Sequence, residues 1–279
     1  MKKILIPFIV AILCTLSATD QVNAQDYLLK RANSLYEQFH FVSAIELYQK
    51  VLEKDKKNAE AWENLAHCYR LTSNSKKAGY AYKKAIRYNE KKHVLKFYCG
   101  QALMSNEEYL DALKWFEKYT ELVPHDSRGW HFVESCQNIE ANKAKTSDYT
   151  IENLNQVNSS ESDFGAAFFK NGIVFASGRT TSVLDRKSDW TGEAFVDIYY
   201  TMPLTSSGEW STPQKLEGKK NIPAHEGPAC FNQYNTMMYF TRNTGKKSKK
   251  TGIVNLKIYE AKWINGKWDE VKSLSFNSD

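Results

Sequence analysis

The stretch that decides the fold of the first half of the chain is AWENLAHCYRLTSNSKKAGYAYKKA, residues 61–85. Trp62, Leu65 and Tyr69 are three and four residues apart, so they share one face of a helix. A polar break, LTSNS, separates them from a second helical pattern that contains Tyr82. The stretch therefore predicts two antiparallel helices joined by a short turn.

The same pattern recurs with a period of 34 residues. A fixed period of this length indicates stacked structural repeats, because a single helix pair cannot bury its apolar face alone. Small residues recur where two helices must approach closely, and aromatic residues recur where the remaining space must be filled. The recurring positions are Ala44, Ala78 and Ala112; Tyr48, Tyr82 and Phe116; Leu28, Trp62, Lys96 and Trp130; and Ala32, Ala66, Gly100 and Glu134.

This pattern resembles the tetratricopeptide repeat (TPR), in which Trp, Leu, a small residue, Tyr, Ala, an aromatic residue and Pro stand at fixed positions. The resemblance implies an α-solenoid of three repeats over residues 25–58, 59–92 and 93–126, followed by a capping helix over residues 127–142. The residues that carry it are Trp62, Leu65, Ala66, Tyr69, Ala78, Tyr82, Ala85 and Pro124.

The resemblance also implies a binding surface, because TPR arrays bind peptides along the concave face lined by the first helix of each repeat. A carboxylate clamp is disfavoured, since Leu29 stands where that variety needs Lys. The alternative is that these side chains are simply solvated. Carried over by position, the partner-binding residues are Asn33, Tyr36, Glu63, His67, Arg70, Phe97, Gln101 and Met104.

Strand patterns replace the helical period in the second half of the chain, and two segments match at a spacing of about 60 residues. The second segment contains Asn265-Gly266 between alternating runs, which predicts a hairpin. The matching pairs are Gly165 with Gly227, Ala167 with Ala229, Phe169 with Phe231, Ile198-Tyr199 with Ile258-Tyr259, and Trp210 with Trp268.

These two segments resemble PD40 (WD40-like, TolB-type) β-propeller blades. The resemblance implies two antiparallel four-stranded blades over residues 161–279, after a linker or first strand at 143–160. The usual Pro-Asp-Gly turn is replaced by Lys170-Asn171-Gly172 and by an Asn-rich turn. Because a propeller closes with four to eight blades, we expect an incomplete one. A pair of generic β-meanders is the alternative.

The N-terminus has the three parts of a secretory signal peptide. Lys2 and Lys3 are followed by an apolar run, Ile4 to Leu16, and by the small-residue site Val22-Asn23-Ala24. The run is too short for an ordinary transmembrane helix. We therefore expect residues 1–24 to be removed and the mature chain, starting at Gln25, to be periplasmic and without a transmembrane span.

Charge and cysteine spacing exclude two classes of protein. The formal net charge of +6 lacks the dense basic patch of a nucleic-acid-binding protein. Cys68, Cys99, Cys136 and Cys230 match neither zinc-site spacing nor a compact disulfide framework. Buried free thiols are expected for the three cysteines of the helical half.

No catalytic or metal-binding motif is evident in the sequence. His225-Glu226 resembles the start of a zinc-protease motif, but Ala229 occupies the position of its second His. No G-x-S-x-G elbow is present. The sequence therefore predicts a protein that is not an enzyme and has no cofactor or metal.

The order of a signal peptide, TPR array and PD40 blades resembles outer-membrane-associated proteins of Bacteroidetes-type bacteria. Those proteins continue into more blades and an OmpA-like peptidoglycan-binding tail, and some serve type IX secretion. The resemblance implies a periplasmic scaffold that docks envelope proteins, associates with an outer-membrane complex or peptidoglycan, and is truncated here.

Two other functions stay open from the sequence. One is the propeller-bearing front of a prolyl-oligopeptidase-like hydrolase that lacks its catalytic domain, although an N-terminal TPR array disfavours it. The other is a glycan-binding module that uses Trp210, Trp263 and Trp268.

Overall fold

The structure is a computed structural model. It describes residues 25–139, 141, 150–180, 182, 185, 187–204, 208–216, 224–243, 247–248 and 254–278. The predicted signal peptide, residues 1–24, lies outside them. The chain forms two compact units, and the strand-rich unit comprises Tyr149–Ser188 and Gly192–Asp279. In the described part of the chain, no helix is long and apolar enough to cross a membrane.

Seven helices occupy residues 25–137 of the described chain, and they form a TPR-like α-solenoid. Each of the three predicted repeats contains two of them, and the seventh falls in the predicted capping helix. The helices are α1 (residues 25–37), α2 (Phe41–Lys54), α3 (Ala59–Leu71), α4 (Ser75–Tyr88), α5 (Val94–Met104), α6 (Tyr109–Leu122) and α7 (Ser127–Gln137).

Polar side chains fix where several helices begin. Asn58, Asn74 and Asp126 each precede a helix and accept a hydrogen bond from a backbone N–H of its first turn. Such a cap satisfies a donor that has no partner inside the helix, and it stabilises the helix by about 1 kcal/mol.

The 34-residue period places small and aromatic residues in one continuous core. Ala44, Ala78 and Ala112 are fully buried. Tyr48 and Phe116 are also among the fully buried side chains of this core. The prediction of an α-solenoid is therefore confirmed, because the recurring positions are those that pack between helices.

Two four-stranded antiparallel sheets follow, and each is a meander in chain order. Residues 150–162 contain turns and no strand, so the described part of the segment 143–160 has the character of a linker. The first sheet contains β1 (Asp163–Phe169), β2 (Gly172–Ser177), β3 (Asp197–Thr201) and β4 (Gln214–Lys215), and the second contains β5 (Glu226–Phe231), β6 (Met237–Asn243), β7 (Leu256–Ile264) and β8 (Lys267–Ser273).

The predicted Asn265-Gly266 hairpin is present between β7 and β8. Asn265 and Gly266 have φ values of 49° and 82°. Two consecutive positive φ values are what a two-residue hairpin turn needs, and Asn and Gly adopt them at the lowest energy.

The two sheets carry the same irregularity at the same place. The register shifts between Phe164 and Ala167 in β1 and between Glu226 and Ala229 in β5. Gly165 and Gly227, which lie at these shifts, have φ values of 66° and 113°. Glycine adopts positive φ without steric cost, so the matching glycines mark matching β-bulges.

The pairing register corrects one match made from the sequence. Val174 pairs with Ala167 and Tyr200, and Phe240 pairs with Ala229 and Tyr259. Tyr259 therefore corresponds to Tyr200, and Ile258 corresponds to Tyr199. Matching Ile198-Tyr199 with Ile258-Tyr259 is wrong by one residue, because loop lengths hide the strand register.

One apolar core joins the two sheets. Phe169 of the first sheet lies 4.7 Å from the Phe231 ring and 5.5 Å from the Trp268 ring of the second, measured between centroids. Trp268 is only 2% exposed, so it belongs to the core and offers no platform for a sugar. Trp210 packs at a smaller cluster around Val157, Phe175 and Tyr199.

Candidate functional site

The predicted partner-binding residues all lie on the first helix of a repeat. Seven of the eight form what we call the first-helix surface, and Phe97 does not. The seven are Asn33 and Tyr36 on α1, Glu63, His67 and Arg70 on α3, and Gln101 and Met104 on α5.

Asn33 is held by hydrogen bonds on both sides of its amide. Its Oδ1 accepts from the Tyr48 hydroxyl at 2.7 Å and from Asn64 Nδ2 at 3.1 Å. Its Nδ2 donates to Glu60 Oε1 at 2.7 Å. The amide is thus a fixed connector between the first two repeats.

The equivalent residue of the second repeat, His67, sits in an aromatic cluster. Its Nδ1 lies 2.8 Å from the Tyr82 hydroxyl oxygen, to which Arg70 Nε donates at 3.2 Å. The Tyr98 ring stacks on the Tyr82 ring at 5.9 Å, and the Arg70 guanidinium lies 4.9 Å from the Tyr98 centroid. Hydrogen bonding and cation–π contact therefore position Arg70.

Glu63 is a partly buried carboxylate with two cationic neighbours. Its Oε1 accepts a hydrogen bond from Lys92 Nζ and lies 3.6 Å from His67 Nε2. Burial alone raises the pKa of Glu63, but the hydrogen bonds with His67 and Lys92 outweigh burial and lower it. Glu63 therefore carries a negative charge at neutral pH.

Phe97 is a correction to the predicted surface. It is 3% exposed, and its ring packs against Phe116, Tyr119 and Phe132 at centroid distances of 5.3 to 5.7 Å. The Arg128 guanidinium lies 5.1 Å from the ring centroid. The capping helix α7 therefore covers a position that would face a ligand in an isolated repeat.

Tyr36 and Met104 occupy the edges of the first-helix surface. The Tyr36 ring lies 5.6 Å from the Phe41 ring, and burial raises the pKa of the Tyr36 hydroxyl. Met104 packs partly against the helical core. Both contribute more to packing than to exposed surface.

Gln101 differs from Asn33 and His67 because its side-chain amide has no hydrogen bond within the described residues. The second helix of its repeat carries Phe116 where the first two repeats carry Tyr48 and Tyr82, so the anchoring hydroxyl is missing. Gln101 and Arg70 line a cleft of about 490 Å³. Ser73, Ser75, Ala78, Ala102 and Ser105 complete its lining.

Three residues of this neighbourhood were missed from the sequence: Asn64, Lys92 and Tyr98. Asn64 and Tyr98 each follow a predicted residue by one position, and both face the surface on neighbouring turns. Their shared spacing of 34 residues was a pattern that could have identified them. Lys92 lies in a turn and outside the repeat pattern, so no periodicity points to it.

The chemistry of the described residues is that of binding. Among them, no group of three or more His, Cys, Asp or Glu side chains could hold a metal ion. Cys68, Cys99 and Cys136 are buried and unpaired, as expected, whereas Cys230 is exposed.

Residues 47–80 match a family model described as the tetratricopeptide repeat. The match begins in α2, includes all of α3 and ends in α4. The chain therefore contains a tetratricopeptide repeat. The chain has no significant match among curated proteins.

Several solved structures are similar in fold. The MamA protein is 21% identical, with a TM-score of 0.41, and the match covers 44% of this chain and 67% of that one. The Yersinia enterocolitica type III secretion chaperone SycD, in complex with a peptide of the translocator YopD, is 15% identical, with a TM-score of 0.39 and coverage of 42% and 95%. The first TPR of Spaghetti, bound to an HSP90 peptide, is 20% identical, with a TM-score of 0.38 and coverage of 42% and 93%.

Proposed function

We propose that the protein is a non-enzymatic scaffold that binds a peptide segment of an envelope protein on its first-helix surface. The observation that carries the proposal is the pair of Arg70 and Gln101 in one open cleft. Arg70 uses only Nε for its hydrogen bond to Tyr82, and its terminal nitrogens have no partner among the described residues. Gln101 likewise keeps its amide free within that part of the chain.

These free groups suit the backbone and carboxylates of an extended peptide. The two terminal nitrogens of Arg70 can donate to a carboxylate or to peptide carbonyls, and the Gln101 amide can both donate and accept. Tyr82, Tyr98 and His67 hold the guanidinium in place, so less side-chain freedom is lost on binding.

The test compares Arg70→Ala and Gln101→Ala with Arg87→Ala, which removes an exposed arginine of α4. The purified proteins serve as bait for a detergent-solubilised envelope fraction, and the captured proteins are identified by mass spectrometry. We expect at least one partner to be retained by the wild type and by Arg87→Ala and to be lost by both other variants. An identical set of captured proteins for all four baits would contradict the proposal.

We further propose that the protein acts in the periplasm, as part of an outer-membrane or secretion complex of the type IX kind. Support comes from the signal-peptide pattern before Gln25. When the full chain is expressed in a Gram-negative host, we expect the periplasmic fraction to contain protein that begins at Gln25. A cytoplasmic product that keeps residues 1–24 would contradict this location.

The strand-rich unit is proposed to belong to a β-propeller. Support comes from two sheets with the same strand order and the same glycine bulge. One face of the first sheet is covered at Tyr199, which is 3% exposed. The corresponding Ile258 of the second sheet is 38% exposed, and its neighbour on that face, Leu256, is 66% exposed. A further sheet would bury both residues.

This arrangement can be tested with a dye that fluoresces on exposed apolar surface. If the second sheet awaits a neighbour, the wild type binds the dye and the double variant Leu256→Ser/Ile258→Thr binds much less while keeping its circular dichroism spectrum. Absence of dye binding by the wild type would count against an open propeller.

A further inference from the structure

A second groove lies on the second helices of the first two repeats, away from the first-helix surface. It has a volume of about 1050 Å³ and lies between α2, α3 and α4. Leu52 and Leu65, which are 6% and 3% exposed, form an apolar floor beside the Trp62 indole. Trp62 Nε1 donates to the Lys56 carbonyl oxygen at 2.9 Å, so the indole has a fixed orientation. We call this the α2–α4 groove.

Aromatic rings form one wall of the α2–α4 groove. Tyr80, Lys84 and Tyr88 are spaced by four residues, so they form one stripe along α4. Tyr80 is 58% exposed, and its ring meets the Trp62 ring edge-on at 5.9 Å. Exposed rings above an apolar floor are typical of the anchoring centre of a binding surface.

Positive charge surrounds these rings. Lys56, Lys76, Lys77 and Lys84 line the groove, and Glu53 is the one acidic residue of its lining. Within the described residues, none of the four lysines forms an ion pair with a carboxylate. Lys77 and Lys84 instead lie over the rings of Tyr69 and Tyr80, at 5.6 and 5.3 Å from their centroids.

The repeat fold by itself does not produce this composition. In the third repeat, the positions that correspond to Lys56, Trp62 and Tyr80 carry Glu90, Lys96 and Lys114. Asp111 stands at the position that corresponds to Lys77. The combination of rings and unpaired lysines is thus specific to one place on the solenoid.

We propose that the α2–α4 groove binds an acidic amphipathic peptide segment of another protein. Leucine or aromatic side chains of the segment occupy the floor at Leu52, Leu65 and Trp62. Its carboxylates pair with Lys76, Lys77 and Lys84 along the rim, where charge complementarity selects the partner. This site is separate from the first-helix surface, so its test is independent of the first proposal.

The test measures binding of the purified protein to a synthetic peptide that carries leucine and phenylalanine at i, i+4 spacing between glutamates. Three variants are compared with the wild type by titration calorimetry: Lys77→Glu/Lys84→Glu, Tyr80→Ser, and the matched control Lys50→Glu/Lys83→Glu. The control makes the same change of charge at exposed lysines of α2 and α4 outside the groove. We expect about a tenfold loss of affinity for the first two variants, little change for the control, and weaker binding at higher salt.

Two other ligands identify the source of binding. A polyglutamate without apolar residues and a single-stranded oligonucleotide are both expected to bind at least about tenfold more weakly than the peptide, because neither fills the apolar floor as well as pairing with the rim. Equal binding of either polyanion would overturn the proposal in favour of a general anion surface. Failure of the wild type to bind the peptide, or equal loss in the control variant, would overturn it as well.

Discussion

One position of the helical repeat makes the same hydrogen bond with different side chains. Trp62 and Trp130 each donate from Nε1 to the backbone carbonyl six residues earlier, at 2.9 and 3.1 Å. Lys96 stands at the same position of the third repeat and donates from Nζ to the carbonyl six residues earlier, at 3.1 Å. The lysine is 5% exposed, so its alkyl stem replaces part of the indole in the core.

Substitution of Lys96 tests this equivalence. Lys96→Ala removes the hydrogen bond and the packed stem, and we expect the free energy of unfolding to fall by about 1 to 3 kcal/mol. Lys96→Trp restores the side chain of the other repeats and is expected to stay within about 1 kcal/mol of the wild type. Urea unfolding followed by circular dichroism at the helical band measures both, with exposed Lys83→Ala as the control. A loss in Lys83→Ala as large as that in Lys96→Ala would refute this role for Lys96.

Thiol reactivity follows from burial of the cysteines. Burial raises the pKa of Cys68 and of Cys99 to about 12, so both thiols stay protonated at pH 8. We expect iodoacetamide at pH 8 to modify exposed Cys230 in the native protein and to reach Cys68 and Cys99 only after denaturation. Peptide mass mapping measures this, and labelling of native Cys68 at the rate of Cys230 would contradict it.

Two glycines inside helices have opposite roles. A Cβ built on Gly100 of α5 would lie 2.7 to 2.9 Å from three atoms of the Phe116 ring, which Phe97 and Phe132 hold in place. A Cβ on Gly79 of α4 would lie 3.7 Å from its nearest neighbour, which is an ordinary contact. The close approach of α5 to α6 therefore requires glycine, whereas the approach of α4 to α5 does not.

The pair of substitutions Gly100→Ala and Gly79→Ala has opposite expected effects. Gly100→Ala forces the packed rings apart and should destabilise the helical unit by about 1 to 3 kcal/mol. Gly79→Ala adds helix propensity without a clash and should stabilise it by about 0.4 to 1 kcal/mol. Chemical unfolding of the two variants decides the matter, and equal shifts in one direction would show that the packing at Phe116 is not tight.

The helices were predictable because their pattern is local. Six or seven residues at a 34-residue spacing are enough to place each helix pair, since a solenoid repeat contacts only its neighbours. The exposure of Phe97 was not predictable in this way. Whether that ring is buried depends on Phe132 and Arg128 of the capping helix, which break the repeat pattern and meet Phe97 only in three dimensions.

The two sheets of the strand-rich unit meet at their glycine bulges. A Cβ on Gly165 would lie 2.6 Å from Pro228 Cβ, and a Cβ on Gly227 would lie 2.6 Å from Ala176 Cβ. Each sheet thus packs the other sheet's backbone against a position without a side chain. The matching glycines serve both the bulge within a sheet and the contact between sheets.

Gly227→Ala is expected to destabilise the strand-rich unit strongly, because both its φ of 113° and the contact with Ala176 oppose a Cβ. We expect a loss of about 2 to 4 kcal/mol and faster hydrogen exchange in β2 and β6. Gly178→Ala is the control, since its nearest neighbour is the flexible Glu193 carboxylate at 3.4 Å. Unchanged exchange in Gly227→Ala would show that the sheets do not depend on this contact.

The sequence by itself determined the helical repeats, the two strand segments with their matching glycines, and the Asn-Gly hairpin, because periodicity and turn chemistry are local properties of the chain. The tertiary structure decided that Tyr200 corresponds to Tyr259, that Phe97 is buried, and that Arg70 and Gln101 share one cleft with free hydrogen-bonding groups. It also brought the lysines and rings of α2, α3 and α4 together in one groove. These features depend on which side chains meet across neighbouring elements, and packing rather than spacing along the chain sets those contacts.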